Sequence, residues 1–564
     1  MTAPPPIYHF AAEGLDAGSL AELETLFEEL TTRQIRNVDE LQTWLRDESE
    51  LFSRISAETA RRYVQMTCHT DDAEAKERYL EMEREVAPRV KVLADRLDDK
   101  FLGCPVTDQL DNEHYGVMVR RRRTAKEIFR EENTRLQAEE AELQTRQQAL
   151  MGGLTVTFEG KERTLQQMAP YYQAQDRDLR RRAFETTLEV RRGTWQELGK
   201  IYDELIRMRQ QMAHNAGFQS YTPFRFKELQ RFDYGPELCE EFHRSVEKIV
   251  VPAVTRLNKA RPQQLGIESL RPYDLDVDVE GRGPFEPFHN EQELIQLVCG
   301  VFQEVDTRFV EEFGILRDNQ LLDLMSRKGK APGGYQYTLE DVRLPFIFCN
   351  SVGTHDDVQT LLHEAGHAFH AILSRDEPLL AYRDAPIEFA ETASMTMELM
   401  GLERLAEVYG PEEAARSRRK HLEGLLRIFP WVATIDAFQH WVYQNPDHDH
   451  EARKQQWLAI MDRFDAGIDY AGYEDARAYR WTTQPHLFNH PFYYIEYGIA
   501  QIAALQIWQA YRSDPAAAVA AYRNGLSLGG SRPLPELFAA AGTEFDVSEQ
   551  TLARLVADIE TEMA

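Results

Sequence analysis

THDDVQTLLHEAGHAFH, Thr354 to His370, is the stretch on which the reading of this chain turns. Thr354 suits a helix N-cap, and Asp357 three residues later completes a capping-box pattern with acid in the first turn. Val358, Leu361, Leu362, Ala365 and Phe369 follow at spacings of 3, 1, 3 and 4, which draws one apolar stripe along a helix. At about 100° per residue, His363, His367 and His370 gather on the opposite side. The pattern predicts a helix with one face in the core and imidazoles presented on the other.

Within it, His363-Glu364-Ala365-Gly366-His367 has the form HExxH. Imidazoles at i and i+4 project side by side, so both reach one tetrahedral Zn²⁺ at about 2.0–2.1 Å. Glu364 leaves the flank of that face, where it is placed to take a proton from water rather than to bind metal. With 16 histidines in 564 residues, chance supplies roughly 0.05 such matches in a chain of this length. A catalytic zinc needs a third protein ligand and one open position. The next acids stand in APIEFAETASMTMELM, Ala385 to Met400, where Pro386 suits a first helical turn. Glu391 and Glu398 share a face, and Glu388 lies about 60° away. Glu391 is the third ligand in this reading, with Glu388 the competing acid. Glu398 is expected to orient a ligand histidine. His370 is expected in a supporting or substrate-facing role rather than on the metal.

Outward from this motif, LPFIFCN, Leu344 to Asn350, is a short apolar run bounded by Pro345 and Ser351, which suits a strand. It follows a Gly/Pro-rich connection, Ser326 to Tyr337. Leu270 to Asn290, rich in Pro, Gly and Asp, reads as an extended loop across the surface. Elsewhere helix dominates: Leu20, Leu23, Leu26, Phe27 and Leu30 have helical spacing, Thr124 to Met151 is dense in helix formers until Gly152-Gly153, and the pattern returns from Tyr171 to about Phe218. Leu154, Val156 and Phe158 alternate with polar residues, and Glu159-Gly160 offers a turn. The fold class is therefore all-α dominated, with a small β-sheet beside the motif helix.

Composition narrows the setting. The chain carries 65 Lys and Arg against 94 Asp and Glu, a formal charge of −29, which repels phosphate backbones and argues against nucleic-acid or anionic-membrane partners. Its five cysteines form no CxxC pair and no even framework. The first residues, MTAPPPIYHFAAEG, lack a basic and an apolar leader region. A cytoplasmic location is expected.

A second polar concentration lies in WTTQPHLFNHPFYYIEYGIA, Trp481 to Ala500. Pro491 can open a helix on which Tyr493, Tyr494 and Tyr497 are neighbours. Hydroxyl and imidazole donors can hold negative charge developing on a carbonyl oxygen; aromatic core packing is the competing reading. Asp447-His448-Asp449-His450 reads as a hydrophilic loop.

HEAGHAFH, Glu391 in FAETASMTMEL and HLFNHPFYYIEYG together resemble the M3 zinc oligopeptidases, of the oligoendopeptidase F and Pz-peptidase type. The resemblance implies a large, elongated, zincin-like helical molecule whose deep internal channel admits short oligopeptides. It implies one Zn²⁺ per chain on His363, His367 and Glu391, with Glu364 as general base. The family's downstream histidine and two tyrosines map onto His486, Tyr494 and Tyr497, with His490 and Tyr493 as neighbouring alternatives. It implies that residues 1–170 form an N-terminal helical domain contributing channel wall and residues 171–564 the catalytic domain. LPFIFCN resembles the family's substrate-pairing edge strand. The expected activity is internal cleavage of short peptides. An α-helical zinc carboxypeptidase and a peptide-binding protein with structural zinc are the competing functions.

Overall fold

The computed structural model describes residues 9–12, 14–283, 285–327, 329–331 and 333–563. The leader reading rests largely on residues outside these, as do Lys328 and Pro332 of the Gly/Pro-rich connection. Among the described residues, 26 α-helices stand against five short strands, and no helix is long and apolar enough to cross a membrane.

Local signals account for most elements. Helix Leu20–Thr32 buries Leu23, Phe27 and Leu30. Strands β1 (Thr155–Phe158) and β2 (Lys161–Thr164) pair antiparallel. Glu159 and Gly160 join them at φ of 49° and 74°, the positive angles that a two-residue hairpin favours. The helix-rich stretch ending at Gly152 is two helices, Asn112–Ile128 and Glu131–Gly152. Arg130 between them is extended, with φ −141° and ψ 127°. Its guanidinium donates to the carbonyls of Phe129 and Ala216 at 2.6 and 3.2 Å, a tertiary anchor that outweighs helix propensity.

The chain forms two compact units, each built from three segments. One comprises Met1–Glu127, Phe285–Arg418 and Ala503–Phe545; the other comprises Ile128–Pro284, Arg419–Ile502 and Asp546–Ala564.

The first unit contains a three-stranded sheet of β3 (Leu322–Met325), β4 (Tyr335–Leu339) and β5 (Leu344–Ser351), in the order β3-β5-β4. β5 runs parallel to β3 and antiparallel to β4. The expectation that LPFIFCN is an edge strand is thereby corrected. It is the central strand, and its neighbours occupy both backbone ladders; the outer positions fall to β3 and β4. Its near-continuous apolar character fits this central place, with Ile347 and Phe348 fully buried.

β5 leads directly into the motif helix, His355–Ser374. The capping box is formed: Asp357 N donates to Thr354 Oγ1 at 3.3 Å and Thr354 N donates to Asp357 Oδ2 at 2.8 Å. Val352 N and Gly353 N donate to the same carboxylate at 2.9 and 3.0 Å, so one acid gathers the whole strand-to-helix turn. Val358, Leu361, Leu362, Ala365 and Phe369 are all fully buried. Each of the larger ones contributes about 1.5–3 kcal/mol of burial.

The facing helix, Ile387–Leu402, starts one residue after Pro386, which serves as its N-cap rather than within its first turn. The two helices meet backbone to backbone at Gly366. A Cβ there would lie 2.5 Å from Ser394 Cα and 2.8 Å from the Ala393 carbonyl oxygen. Tyr522 holds that same carbonyl, donating its hydroxyl at 2.8 Å.

The Pro/Gly-rich stretch from Leu270 to Asn290 belongs to the second unit up to residue 284 and to the first from Phe285. It is irregular, as expected, but it does not simply cross the surface. Leu270, Tyr273, Asp274 and Val277 are buried. The Asp274 carboxylate receives Arg180 Nη2 at 2.8 Å and Arg177 Nη2 at 2.9 Å. A buried acid of this kind needs such partners.

Gly366→Ala is expected to cost about 1–3 kcal/mol of unfolding free energy by overpacking, although alanine is the better helix former by about 1 kcal/mol. Denaturant titration of the two proteins measures the difference, and unchanged stability would contradict the close-packing argument.

Candidate metal centre

The motif helix and its facing helix bring His363, His367 and Glu391 together, with their ligand-capable atoms all within 4.8 Å of one another. Glu391 Oε2 lies 3.4 Å from His363 Nε2 and 3.8 Å from His367 Nε2. The imidazole rings stand 4.9 Å apart and nearly perpendicular, at 83°. Each ring is oriented from behind. Glu398 Oε1 accepts from His363 Nδ1 at 2.7 Å, and the Ala390 carbonyl accepts from His367. A carboxylate cannot donate, so Glu398 fixes a proton on His363 Nδ1 and leaves Nε2, which faces Glu391, as the nitrogen that would turn to a metal. Ser394 Oγ donates to Glu391 Oε2 at 3.2 Å. Two imidazole nitrogens and one carboxylate, convergent and oriented by second partners, are the donor set that a catalytic zinc takes.

Electrostatics follow from this crowding. Burial works to lower the His363 imidazole, but hydrogen bonds to Glu391 and Glu398 raise it well above its ordinary value. His367 is pushed down to about 4 by burial. Burial works to raise Glu391, yet the His363 hydrogen bond and the His367 charge bring it down to about 2. The carboxylate is therefore held ionised.

Glu364 is 7% exposed, and burial raises its carboxyl to about 7. The β4 backbone lies over it: the Gln336 amide hydrogen-bonds its carboxylate, and a Cβ on Gly334 would come within 3.5 Å of Glu364 Oε1. Neither Gly334 nor Gln336 was foreseen as part of the site. The signal was present in GGYQYTL, where a side-chain-free pair precedes a short alternating run.

Glu388 does not join the cluster; it is buried one turn earlier, and its carbonyl accepts from Thr392 Oγ1 at 2.7 Å. His370 does not face a groove. It is 5% exposed and packs edge-on against Phe389 with ring centroids 5.5 Å apart. Burial pushes its imidazole down to about 3, so it serves the helix contact as a neutral ring. Asp449 caps helix His450–Arg463, and His448 accepts from Arg453 Nε at 2.8 Å, so the acidic, histidine-rich loop is structural.

His486, Tyr494 and Tyr497 lie in the other unit, where they form one cluster. The His486 ring is 5.0 Å from Tyr494 and 5.9 Å from Tyr497, and the two tyrosine rings are 5.4 Å apart. Tyr493 is also close, 5.8 Å from His486. Trp431 Nε1 donates to Gln484 Oε1 at 2.9 Å, which leaves the Gln484 amide nitrogen to donate to His486 Nδ1 at 2.6 Å. His486 therefore bears its proton on Nε2 and offers it as a donor. Burial pushes the Tyr494 hydroxyl up to about 12, keeping it protonated and able to donate. Pro491 does not open the following helix, which runs Ile495–Ser513. Phe492 has φ 64°, a left-handed conformation that separates Pro491 from the helix.

The family model described as peptidase family M3 matches residues 171–556, and that of the peptidase M3 N-terminal domain matches residues 17–129. Group B oligopeptidase PepB of Streptococcus agalactiae serotype III (strain NEM316) is 25% identical over 313 residues, 54% of this chain and 51% of its own. The chromosomal oligoendopeptidase F of Lactococcus lactis subsp. cremoris is 26% identical over 238 residues, 40% of this chain and 36% of its own. The matching stretch thus spans about half or less of these relatives. Among solved structures, Pz peptidase A with a bound inhibitor superposes with a TM-score of 0.91 at 28% identity, over 98% of this chain and 99% of that one. A structure assigned to oligoendopeptidase F from Bacillus anthracis str. Ames gives 0.86 at 27%, over 99% and 98%. With more than half of its length matched by the family model, the chain belongs to peptidase family M3.

Proposed function

We propose that this chain is a zinc-dependent endopeptidase that hydrolyses internal bonds of short oligopeptides. The observation that carries the reading is the convergence of His363, His367 and Glu391 with Glu364 beside them. The names of the relatives, an oligopeptidase and an oligoendopeptidase, support the substrate class. Admission of substrate through a deep channel belongs to the same reading.

His363, His367 and Glu391 would hold Zn²⁺, which when bound would supply Lewis-acid chemistry to the scissile carbonyl and to water. Glu398 keeps the His363 ring in the tautomer that binds metal. Glu364 takes the proton of the attacking water and returns it to the leaving amine. The outer strand β4, with Gly334 at its start, offers backbone against which an extended peptide can add. The role of holding charge on the carbonyl oxygen falls to the Nε2–H of His486 and the hydroxyls of Tyr494 and Tyr497. Gln484 supports this assignment because it leaves His486 as a donor.

Glu364→Gln is expected to retain near wild-type zinc and lose about 10²–10⁴-fold in turnover; retained turnover would remove Glu364 as the base. A peptide blocked at both termini should yield internal fragments by mass spectrometry. No cleavage of it alongside cleavage of the unblocked form would assign an exopeptidase instead. Glu398→Ala should weaken zinc binding by about 10–100-fold in a chelator competition, with Glu364 unaltered.

A further inference from the structure

A second set of metal-capable groups occurs among the described residues: Cys239, Asp436 and His440, all buried, with their ligand atoms also within 4.8 Å of one another. It lies wholly within the second unit, away from the HExxH motif in sequence and in unit. Two helices build it. Pro236–Ser245 carries Cys239 and His243 at i and i+4, and Pro411–Gln444 carries Asp436 and His440 at i and i+4. Each helix thereby turns two ligand-type side chains to one side.

The four side chains are almost sealed from solvent, at 0% for Cys239, 3% for His243, 0% for Asp436 and 7% for His440. His243 Nε2 donates to Asp436 Oδ2 at 2.8 Å. That leaves two atoms buried without a hydrogen-bond partner, Asp436 Oδ1 and His440 Nε2. His440 Nε2 lies 3.4 Å from Asp436 Oδ2 but makes no hydrogen bond to it. Leaving a buried carboxylate oxygen and a buried imidazole nitrogen unmatched is unfavourable, because each gives up water without gaining a partner. They sit side by side and next to a cysteine, which packing alone does not explain.

We propose that Cys239, Asp436 and His440 bind a second divalent cation of the zinc class, with His243 orienting Asp436. Charge supports this. A thiolate and a carboxylate neutralise a dication, so the filled site carries no net charge into a buried interior. Ligand softness supports it too, since a sulfur, nitrogen and oxygen set favours zinc over magnesium or calcium. Metal–ligand bonds of about 2.0–2.3 Å put tetrahedral ligand atoms roughly 3.3–3.8 Å apart, so side-chain adjustments of about 1 Å close the set. Binding releases the Cys239 thiol proton to solvent; the His243 hydrogen bond to Asp436 is the kind of outer partner that a ligating carboxylate carries.

The position suggests what such an ion does. The His440 ring packs edge-on against Phe492 at 5.0 Å, and the adjacent Gln439 side-chain oxygen accepts from the Phe492 amide. Phe492 is the left-handed residue that precedes Tyr493 and Tyr494. A buried ion on His440 would brace the loop that presents the histidine–tyrosine cluster.

The test uses the full-length chain reconstituted with Co²⁺, because the HExxH site contains no sulfur. The His363→Ala/His367→Ala double variant leaves the second site untouched. It should retain about one equivalent of cobalt and show a near-ultraviolet sulfur-to-cobalt charge-transfer band, which Cys239→Ser abolishes. A folded double variant that takes up no stoichiometric metal, or metal without the sulfur band, overturns the proposal; this readout stands even if Cys239→Ser does not fold. If instead the wild-type chain binds a single cobalt with the sulfur band, the second site stands and the HExxH reading fails.

Discussion

The meeting of Gly366 with the backbone of Ala393 and Ser394 sets the geometry on which the rest of the metal centre depends. One helix supplies two imidazoles by its own periodicity, but a third ligand must come from elsewhere, and it must come close. The missing side chain at Gly366 lets the facing helix approach until Glu391 stands 3.4 and 3.8 Å from the two imidazole nitrogens. The variable positions of HExxH are thus both committed here. Ala365 enters the core, and Gly366 admits the partner helix.

Around this contact the acids divide their tasks by depth and direction. Glu391 points at the imidazole pair and is held ionised by it. Glu398, two turns on, reaches the far nitrogen of His363 and sets its tautomer. Glu364, on the flank, is covered by the start of β4 and kept apart from the ligand atoms. Of the three carboxylates in this small space, Glu391 and Glu398 each face the His363 imidazole, and their charge adds to burial in raising Glu364. The second unit shows the same economy: the Trp431–Gln484–His486 relay fixes which nitrogen of His486 bears the proton, and Arg177 and Arg180 neutralise buried Asp274.

The misread features share one cause. LPFIFCN has the composition of a buried strand, but whether it is central or at an edge depends on what pairs with it, and pairing is set by residues 322–325 and 335–339. Pro491 is compatible with a helix start, yet Phe492 adopts φ 64° under contacts made with Gln439 and Arg231. His370 shares the angular sector of the ligand imidazoles, but the approach of Phe389 closes over it. The Cys239, His243, Asp436 and His440 cluster has no local signature, since His243 and Asp436 are 193 residues apart in the chain.

What the sequence by itself determined is everything that lies within about one helix length: the capped motif helix, its apolar stripe, the paired imidazoles with a flanking acid, the tight β1–β2 turn, and Glu391 and Glu398 on one face. These follow from backbone periodicity and local hydrogen bonding, which a linear string records. The tertiary structure alone decided which acid meets the imidazoles, which strand is left at the sheet edge, which histidine proton is available, and which distant side chains share a buried space. Those depend on close approach between elements, and close approach is a property of packed surfaces rather than of spacing along the chain.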